Sequence, residues 1–403
     1  MRTKAYLVGA VTLAAGVLAS TFVGQTAQAA GSAAGKPAPT MARACSAAPA
    51  PGFAACLAWI RTDVAALKPS AVAPNALPPG LGPTDLRSAY NVTATGSATQ
   101  TIAIVDAQND PTAEQDLATY RSTYGLPACT TANGCFRKVD QNGGQNFPAT
   151  DAGWALEISL DLDMASAMCP NCHILLVEAT SATLANLAAA VNRAATLGAN
   201  TISNSYGGSE SGTAGTASSF NHPGIAITAS SGDSGFAGGI SFPASAPTVI
   251  SVGGTTLTRA SNARGWTESA WSGAGSGCSR TFARPTAQAN VGTGCSRRAV
   301  SDISAVADPN TGVAVFDSTP IQGQSGFFIV GGTSASSPII ASLIALAGNG
   351  SGVTVNSIYS HTASLNDVTT GNNGRCRTTQ QCTARVGWDG PTGLGTPNGL
   401  GAL

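Results

Sequence analysis

Charged residues are scarce in this sequence. Only 10% of its 403 residues are Asp, Glu, Lys or Arg, and twenty basic side chains are balanced by twenty acidic ones. Proteins that bind nucleic acids depend on many contacts between basic side chains and phosphates, and the sequence has no basic run. The composition therefore argues against nucleic acid as a partner. It also predicts a surface that gains little charge in acid.

Histidine, the side chain that most often serves as a general base, is also scarce. The chain has three: His173 follows a cysteine, His222 precedes a proline, and His361 lies in a predicted C-terminal loop. None stands in a glycine-rich or acid-flanked stretch that would indicate a catalytic histidine. We expect all three to be structural, so carboxylates are the better candidates for acid–base chemistry.

A long apolar run occurs only at the start of the chain. Arg2 and Lys4 precede apolar residues 5–23, and Ala27-Gln28-Ala29 has the small residues of a signal-peptidase site. A membrane anchor is the alternative, but the run contains Gly and Thr and ends at this cleavage signal. We therefore predict that residues 1–29 are a signal peptide that is removed. No later stretch is long enough to span a bilayer, so we expect a secreted, monomeric protein without membrane contact.

Ten cysteines fit an exported protein, in which cysteines usually form disulfides. They fall in close couples along the sequence, and nearest-neighbour pairing is the simplest arrangement, although spacing does not fix the connectivity. Cys169-Pro170-Asn171-Cys172 could instead be a redox or zinc motif. A local disulfide is preferred because the chain has no second motif of this kind. The couples are Cys45/Cys56, Cys129/Cys135, Cys169/Cys172, Cys278/Cys295 and Cys376/Cys382.

Strand-like and helical runs alternate along most of the chain. Residues 30–83 are rich in Ala and Pro and are predicted to be a leader or short N-terminal extension with one helix at 53–67. From residue 84 onward the alternation predicts an α/β domain with buried parallel strands. The predicted strands are 100–106, 173–177, 201–205, 224–229, 248–252, 312–316 and 326–330, and the predicted helices are 110–124, 152–167, 183–197 and 339–347.

The stretch from Gly331 to Pro338 stands at a predicted strand-to-helix junction. Its two glycines and a threonine favour a tight turn. Ser334 would then lie at the start of a helix, where unpaired N–H groups and the helix dipole favour developing negative charge. This position suits a serine nucleophile. A Ser/Thr-rich helix cap is the alternative, and the choice between them depends on partners elsewhere in the chain.

Three carboxylates are candidate partners. Glu157 and Asp161 are four residues apart in a predicted helix, so they share one face. Two acids this close repel each other unless they share a proton, which raises one pKa. Asp233 follows a predicted strand in a Ser-Gly-Asp-Ser-Gly turn, and in its protonated form it could donate a hydrogen bond to an oxyanion. The alternatives are two solvated surface acids and an ordinary turn residue.

Together these motifs resemble the sedolisin family of serine-carboxyl peptidases, which are secreted, acid-active relatives of subtilisin. The resemblance runs from about residue 82 to the C-terminus and implies a subtilisin-like, doubly wound, mostly parallel sheet in a peptidase domain at 84–403. The implied activity is endopeptidase cleavage of proteins or peptides; a tripeptidyl-peptidase and a catalytically silent binding protein are the alternatives. The implied roles are Ser334 as nucleophile, Glu157 as base, Asp161 as its orienting partner and Asp233 as oxyanion donor.

Two further strand ends are candidates for the same site. Ser205-Tyr206-Gly207 is expected to offer backbone groups to an extended peptide substrate, with an ordinary glycine-rich loop as the alternative. Asp106 follows a strand where subtilisin-like enzymes place their catalytic aspartate, and sedolisins more often have Glu nearby. We expect Asp106 to be a supporting acid. A neutral Ser-His-Asp protease using Asp106 would need a histidine with a credible base motif.

The C-terminal region resembles the calcium site of the same family. The resemblance implies one structural Ca²⁺ held by Asp367, Val368, Arg385, Gly387 and Asp389, through the carboxylate and carbonyl oxygens that this hard cation prefers. Family members often have Gly where Arg385 stands, and a nearby cation is unhelpful. An Asn/Gly-rich loop is the alternative interpretation.

Sedolisins also typically carry a long folded pro-domain, and residues 30–83 are too few for one. The sequence therefore leaves open how activity would be controlled before export.

Overall fold

The computed structural model describes residues 39–46, 49–72 and 76–403. The predicted signal peptide at 1–29 lies outside them, as does the start of the predicted leader. None of the helices in the described ranges is long and apolar enough to cross a bilayer. The strands are β1 (Met41–Arg43), β2 (Ala54–Cys56), β3 (Trp59–Arg61), β4 (Thr101–Ala107), β5 (Phe136–Asp140), β6 (His173–Ala179), β7 (Thr201–Asn204), β8 (Tyr206–Gly208), β9 (Ala226–Ser230), β10 (Ile250–Arg259), β11 (Trp266–Ala270), β12 (Gly277–Cys278), β13 (Ala299–Val300), β14 (Ile303–Val306), β15 (Val313–Ile321), β16 (Gln324–Gly331), β17 (Leu365–Asn366) and β18 (Thr396–Pro397). The helices are α1 (Pro83–Ala89), α2 (Ala113–Thr123), α3 (Ala152–Met168), α4 (Leu184–Thr196), α5 (Thr333–Ala347) and α6 (Val355–Ser360).

A mostly parallel sheet of eight strands lies at the centre, in the order β11-β10-β9-β7-β4-β6-β5 with β14 beside β10. Its neighbouring strands run parallel except for the antiparallel pair β10–β11. Both faces are covered. In β4, Ile102 and Ile104 join the apolar core that contains α3 and α5, while Ala103 and Val105 join the core that contains α4. The predicted α/β class is confirmed.

A second, antiparallel sheet has the order β1-β3-β16-β15. The predicted strands at 312–316 and 326–330 form its β15–β16 hairpin. The predicted helix at 53–67 is wrong, because this stretch contains strands β2 and β3 instead. Its apolar run follows a Pro51-Gly52 turn and is short, and its backbone pairs with β8 and β16. Such tertiary pairing decides between strand and helix for a short apolar run.

The disulfides join the five couples that nearest-neighbour pairing predicts, and the described chain has no free cysteine. Cys169–Cys172 is therefore a local disulfide rather than a metal or redox motif in its reduced form. Each bridge closes a loop of at most 17 residues. Because all five are local, the association of the sheets with each other depends on packing and hydrogen bonds.

Candidate active site

Three adjacent parallel strands bring the candidate residues together. β4, β7 and β9 are neighbours in the central sheet. Asp106 lies near the carboxyl end of β4, Ser205 directly follows β7, and Asp233 follows β9 within three residues. Side chains that follow neighbouring parallel strands meet at one edge of the sheet. Ser334 reaches this edge from the first turn of α5.

The two acids of α3 are buried within this cluster. Glu157 and Asp161 are both 0% exposed because α3 is buried on all sides and packs against α5, β15 and β4. The Asp161 Oδ2 atom accepts a hydrogen bond from the Ser205 hydroxyl at 2.7 Å, and Glu157 Oε2 accepts one from the Leu57 N–H at 3.0 Å. Among the described residues, Glu157 Oε1 and Asp161 Oδ1 have no hydrogen-bond partner.

Ser334 is linked to Asp161 through Ser205. The Ser334 hydroxyl donates to the Ser205 carbonyl oxygen at 3.2 Å, and the Ser205 hydroxyl lies 3.2 Å from the Ser334 carbonyl oxygen. That carbonyl is available because Pro338, four residues later in α5, has no N–H to donate to it. The structure shows no regular hydrogen bond between Ser334 and Glu157 in the described residues, although the hydroxyl is close enough to favour the ionised form of Glu157.

Asp233 is held beside the Ser334 turn by Thr333. Its Oδ1 atom accepts hydrogen bonds from the Thr333 N–H at 2.8 Å and the Thr333 hydroxyl at 2.7 Å. Its Oδ2 atom is buried and has no regular hydrogen-bond partner among the described residues, although the Trp59 side chain is close enough to oppose the rise in the pKa of Asp233. Gly332 allows this approach: it has φ 102°, and a Cβ atom there would come within 2.7 Å of Asp233 Oδ2. Asp233 therefore presents one free oxygen beside the Ser334 turn.

Burial keeps protons on these carboxyls. It is the largest cause that raises the pKa of Glu157 and of Asp161 well above their ordinary values, and the charge of Asp106 is the next cause. Burial also raises the pKa of Asp106 to about 8 and that of Asp233 to about 7. The cluster is thus a set of mutually repelling acids that ionise one after another rather than together.

The sequence-predicted residues Ser334, Glu157, Asp161, Asp233 and Ser205 all meet in this cluster, with Asp106 beneath them. Tyr206 and Gly207 lie in β8, which pairs with β2. Two of the histidines have other partners: His222 contacts Asn192 and Ser219, and His361 contacts Ser357.

Sequence reasoning missed Leu57 and Thr333, which contact Glu157 and Asp233 respectively. Thr333 belongs to the predicted turn and could have been assigned as the partner of an acid. Leu57 carries no chemical signal, since it takes part through its backbone alone. Only the pairing of its neighbours with β8 and β16 brings it into the site.

The five residues of the predicted calcium site lie close together in the C-terminal region. Asp389 Oδ2 accepts a hydrogen bond from the Arg385 N–H at 3.1 Å, and Asp367 Oδ2 accepts one from the Gly387 N–H at 2.9 Å. Burial raises the pKa of Asp389 to about 7, and the charge of Asp367 adds to the effect. In the described part of the chain, no three His, Cys, Asp or Glu side chains form a group that could hold a metal.

Comparison with known proteins places this chain in a family. Residues 142–389 match the model of the subtilase family. Kumamolisin of Bacillus sp. (strain MN-32) is 31% identical over 367 aligned residues, which cover 82% of this chain and 64% of kumamolisin. Sedolisin of Pseudomonas sp. (strain 101) is 34% identical over 175 residues, or 39% of this chain and 28% of that protein. The matched regions thus span less than two thirds of each relative.

A solved structure agrees with these relatives. Pseudomonas sedolisin, described as a serine-carboxyl proteinase complexed with two molecules of pseudo-iodotyrostatin, superimposes with a TM-score of 0.67 and 28% identity. The match covers 79% of this chain and 95% of that structure. It confirms the subtilisin-like α/β fold. The chain belongs to the subtilase family and, within it, to the sedolisins.

Proposed function

We propose that this chain is a secreted, acid-active serine-carboxyl endopeptidase. The observation that carries the proposal is the meeting of Ser334 with three buried carboxyls, Glu157, Asp161 and Asp233, at the carboxyl edge of one sheet. Buried acids with strongly raised pKa values and unpartnered oxygens are costly to keep. Such groups concentrate where chemistry needs them. The five local disulfides support export to an oxidising compartment.

Ser334 is the nucleophile in this mechanism. Glu157 takes the serine proton at its free Oε1 atom while Ser334 Oγ attacks the carbonyl carbon of the peptide. Asp233, protonated at Oδ2, donates a hydrogen bond to the oxyanion that forms. Glu157 then passes the proton to the leaving amine, and water hydrolyses the resulting ester by the reverse sequence. Asp161, fixed by the Ser205 hydroxyl, is the proposed orienting partner of Glu157, and the two acids hold one proton between them when Glu157 acts as base.

The Glu157/Asp161 pair limits activity at low pH, and Asp233 limits it at high pH. The Glu157/Asp161 pair must lose a proton to act as a base, so activity falls when acid protonates both. Asp233 must keep its proton to donate, so activity is lost as pH rises through its pKa of about 7. The mechanism requires the pair to lose its first proton before Asp233 ionises, and it then predicts a bell-shaped profile with its maximum below neutrality. A histidine-based site would lose activity in acid instead.

Peptide substrates are proposed to bind along β8. The stretch Ser205-Tyr206-Gly207 lies beside Ser334, and the edge of β8 is already paired with an extended segment, β2. Backbone pairing of this kind recognises a peptide by its main chain. Gly207 is required because a Cβ atom there would come within 2.7 Å of the Ser241 Cβ atom.

One structural Ca²⁺ is proposed at the C-terminal site. Asp367 and Asp389 supply carboxylates, and in the described residues no hydrogen bond is donated to the carbonyl oxygens of Val368, Arg385 and Gly387. Two nearby acids and three free carbonyls fit the oxygen preference of Ca²⁺. The ion would relieve the repulsion between the two acids and hold the loop between them. It takes no part in peptide cleavage.

The test compares two serines of one turn. Ser336 is buried beside Ser334 but donates its hydroxyl to the carbonyl oxygens of Ala305 and Val306. We expect Ser334→Ala to abolish casein hydrolysis at about pH 4, whereas Ser336→Ala retains it. Glu157→Gln should be nearly as inactive as Ser334→Ala. Wild-type protein that folds but cleaves no protein or peptide between acid and neutral pH would favour the binding-protein alternative.

A further inference from the structure

The loop that carries Asp233 packs backbone to backbone against a second loop. We call residues 231–236 the oxyanion loop and residues 273–275 the supporting loop. Glycine makes the close approach possible, because a Cβ atom at Gly275 would lie 2.3 Å from the Ser231 carbonyl oxygen. The position of the supporting loop therefore determines where the backbone of the oxyanion loop can lie.

Two hydrogen bonds join these loops, one on each side of Asp233. The Gly275 N–H donates to the Gly232 carbonyl oxygen at 2.7 Å, and the Gly235 N–H donates to the Gly273 carbonyl oxygen at 2.8 Å. The first turn of α5 fixes only the Oδ1 atom of Asp233. The direction in which Oδ2 points consequently depends on the backbone that these two hydrogen bonds hold.

The side chain of Asn373, far from Asp233 in the sequence, holds the middle residue of the supporting loop. Asn373 is 4% exposed, and its Nδ2 atom donates to the Ala274 carbonyl oxygen at 2.6 Å and to the Ser276 hydroxyl oxygen at 2.7 Å. A carbonyl oxygen only accepts, so the amide nitrogen must face Ala274. Among the described residues no other group donates to this carbonyl. Loss of the amide would leave it buried and unpaired.

The backbone of Asn373 reaches the oxyanion loop directly. Its carbonyl oxygen accepts a hydrogen bond from the Phe236 N–H at 2.9 Å, and a Cβ atom at Gly235 would lie 2.5 Å from this oxygen. The Asn373 N–H donates to the Cys382 carbonyl oxygen at 2.9 Å, and Cys382 forms a disulfide with Cys376. The C-terminal region thus contacts both loops through one residue.

We propose that Asn373 is a positioning residue for the oxyanion donor: its side chain holds the supporting loop where it directs Asp233 Oδ2 toward the reacting carbonyl. The inference rests on the proposed peptidase function and adds a residue to it. Asn373 transfers no proton and acts through Asp233. Its contribution appears when negative charge develops on the substrate oxygen. A group misplaced by about 1 Å can lose about 10²-fold in rate.

The experiment measures kcat and KM for a fluorogenic peptide at about pH 4 with the wild type, Asn373→Ala, Asp233→Ala and the double variant. We expect Asn373→Ala to lower kcat by about 10-fold to about 100-fold. KM should stay nearly unchanged, since the support counts only in the transition state. In the Asp233→Ala background the same substitution should change kcat by less than about twofold, because no donor remains to be positioned.

Gln288→Ala is the matched control. Gln288 is buried, and its amide donates to the Ala299 carbonyl oxygen at 2.8 Å, as the amide of Asn373 does to Ala274. Among the described residues, none of its side-chain hydrogen bonds reaches the oxyanion loop or the supporting loop. We expect Gln288→Ala to lower the urea midpoint at least as much as Asn373→Ala, while kcat of the folded protein is unchanged.

Asn373→Asp provides a second variant of the same shape. Its protonated carboxyl has one hydrogen to donate where the amide has two, so we expect a smaller loss of kcat, again absent in the Asp233→Ala background. Should Asn373→Ala fail to fold, Asn373→Asp decides by the same comparison.

An equal loss of kcat in both backgrounds, or a loss of stability with kcat unchanged, would overturn this inference and leave the peptidase function standing. Wild-type protein that folds but hydrolyses no peptide would overturn both.

Discussion

The substitution Asp233→Asn distinguishes two roles for Asp233: a hydrogen-bond donor to the oxyanion, or a structural residue of the turn. The amide oxygen can accept the two hydrogen bonds that Thr333 donates to Oδ1, and the amide nitrogen can donate where Oδ2 now needs a proton. Asp233→Ala loses both and leaves the buried Thr333 N–H without a partner, which costs about 1–3 kcal/mol. The two variants should therefore differ in rate and in stability, and both should differ from the Asp233 protein in the pH dependence of unfolding.

The raised pKa of Asp233 determines the direction in which the stability of the protein changes with pH. Burial raises the pKa of Asp233 from 3.8 to about 7, so the folded state holds a proton that the unfolded chain releases. The stabilisation is fully present below about pH 4 and is lost as pH rises through about 7. Each tenfold change in the proton equilibrium is worth about 1.4 kcal/mol, so ionising Asp233 costs at most about 4 kcal/mol. Asn does not titrate and avoids this loss.

The assay is urea unfolding at about pH 4 and pH 8 in a Ser334→Ala background, which prevents self-digestion. Between these two pH values we expect the free energy of unfolding to fall less for Asp233→Asn than for the protein with Asp233. The difference is up to about 4 kcal/mol. In the active background, Asp233→Asn should keep more activity than Asp233→Ala, which loses about 10²–10³ in kcat, and its alkaline limit should move upward. The reasoning would be refuted if unfolding of Asp233→Asn kept the pH dependence of the Asp233 protein and both variants lost equal rate.

Three further outcomes are expected. Ser205→Ala removes the 2.7 Å hydrogen bond to Asp161, so it should lower kcat more than it changes KM and shift the acid limb to higher pH; an unchanged profile would exclude this positioning role. Gly207→Val should raise KM for long peptides, since Leu57 packs beside Gly207; an unchanged KM would mean that substrates do not lie along β8. Chelation should lower Tm more at about pH 7.5 than at about pH 5, because protonated Asp389, with a pKa of about 7, binds Ca²⁺ poorly. Asp389→Ala should remove that difference. If chelator changed the wild-type Tm at neither pH value, the region would be an Asn/Gly-rich loop without a calcium site.

Much of the parallel sheet was predictable because its strands are continuous apolar runs buried on both faces. Helix α3 was predicted almost to the residue, because its signals come from residues close together in the sequence. These are its apolar ridge and the cap at Asp151, whose side chain accepts hydrogen bonds from Gly153 and Trp154. α5 begins earlier than predicted, because small polar residues that resemble a cap form its first turn. β5 was missed, since Arg137 and Lys138 interrupt its apolar pattern.

The acids and Ser334 were identifiable because each stands in an unusual local setting: two acids on an otherwise uncharged helix and a serine after two glycines. The structure adds their common burial and their partners. The extended conformation of residues 54–61 was not predictable from the sequence. A short apolar run such as 54–60 is compatible with helix or strand, and its conformation is decided by pairing with β8 and β16, more than a hundred residues away.

We propose that carboxyl groups, without a histidine, carry out the proton transfers that Ser334 needs. The most direct test is the pH dependence of kcat/KM for peptide cleavage by the wild-type protein. We predict a bell with its maximum in acid and little activity above about pH 7, where Asp233 has lost its proton. A maximum above pH 7 would contradict the account.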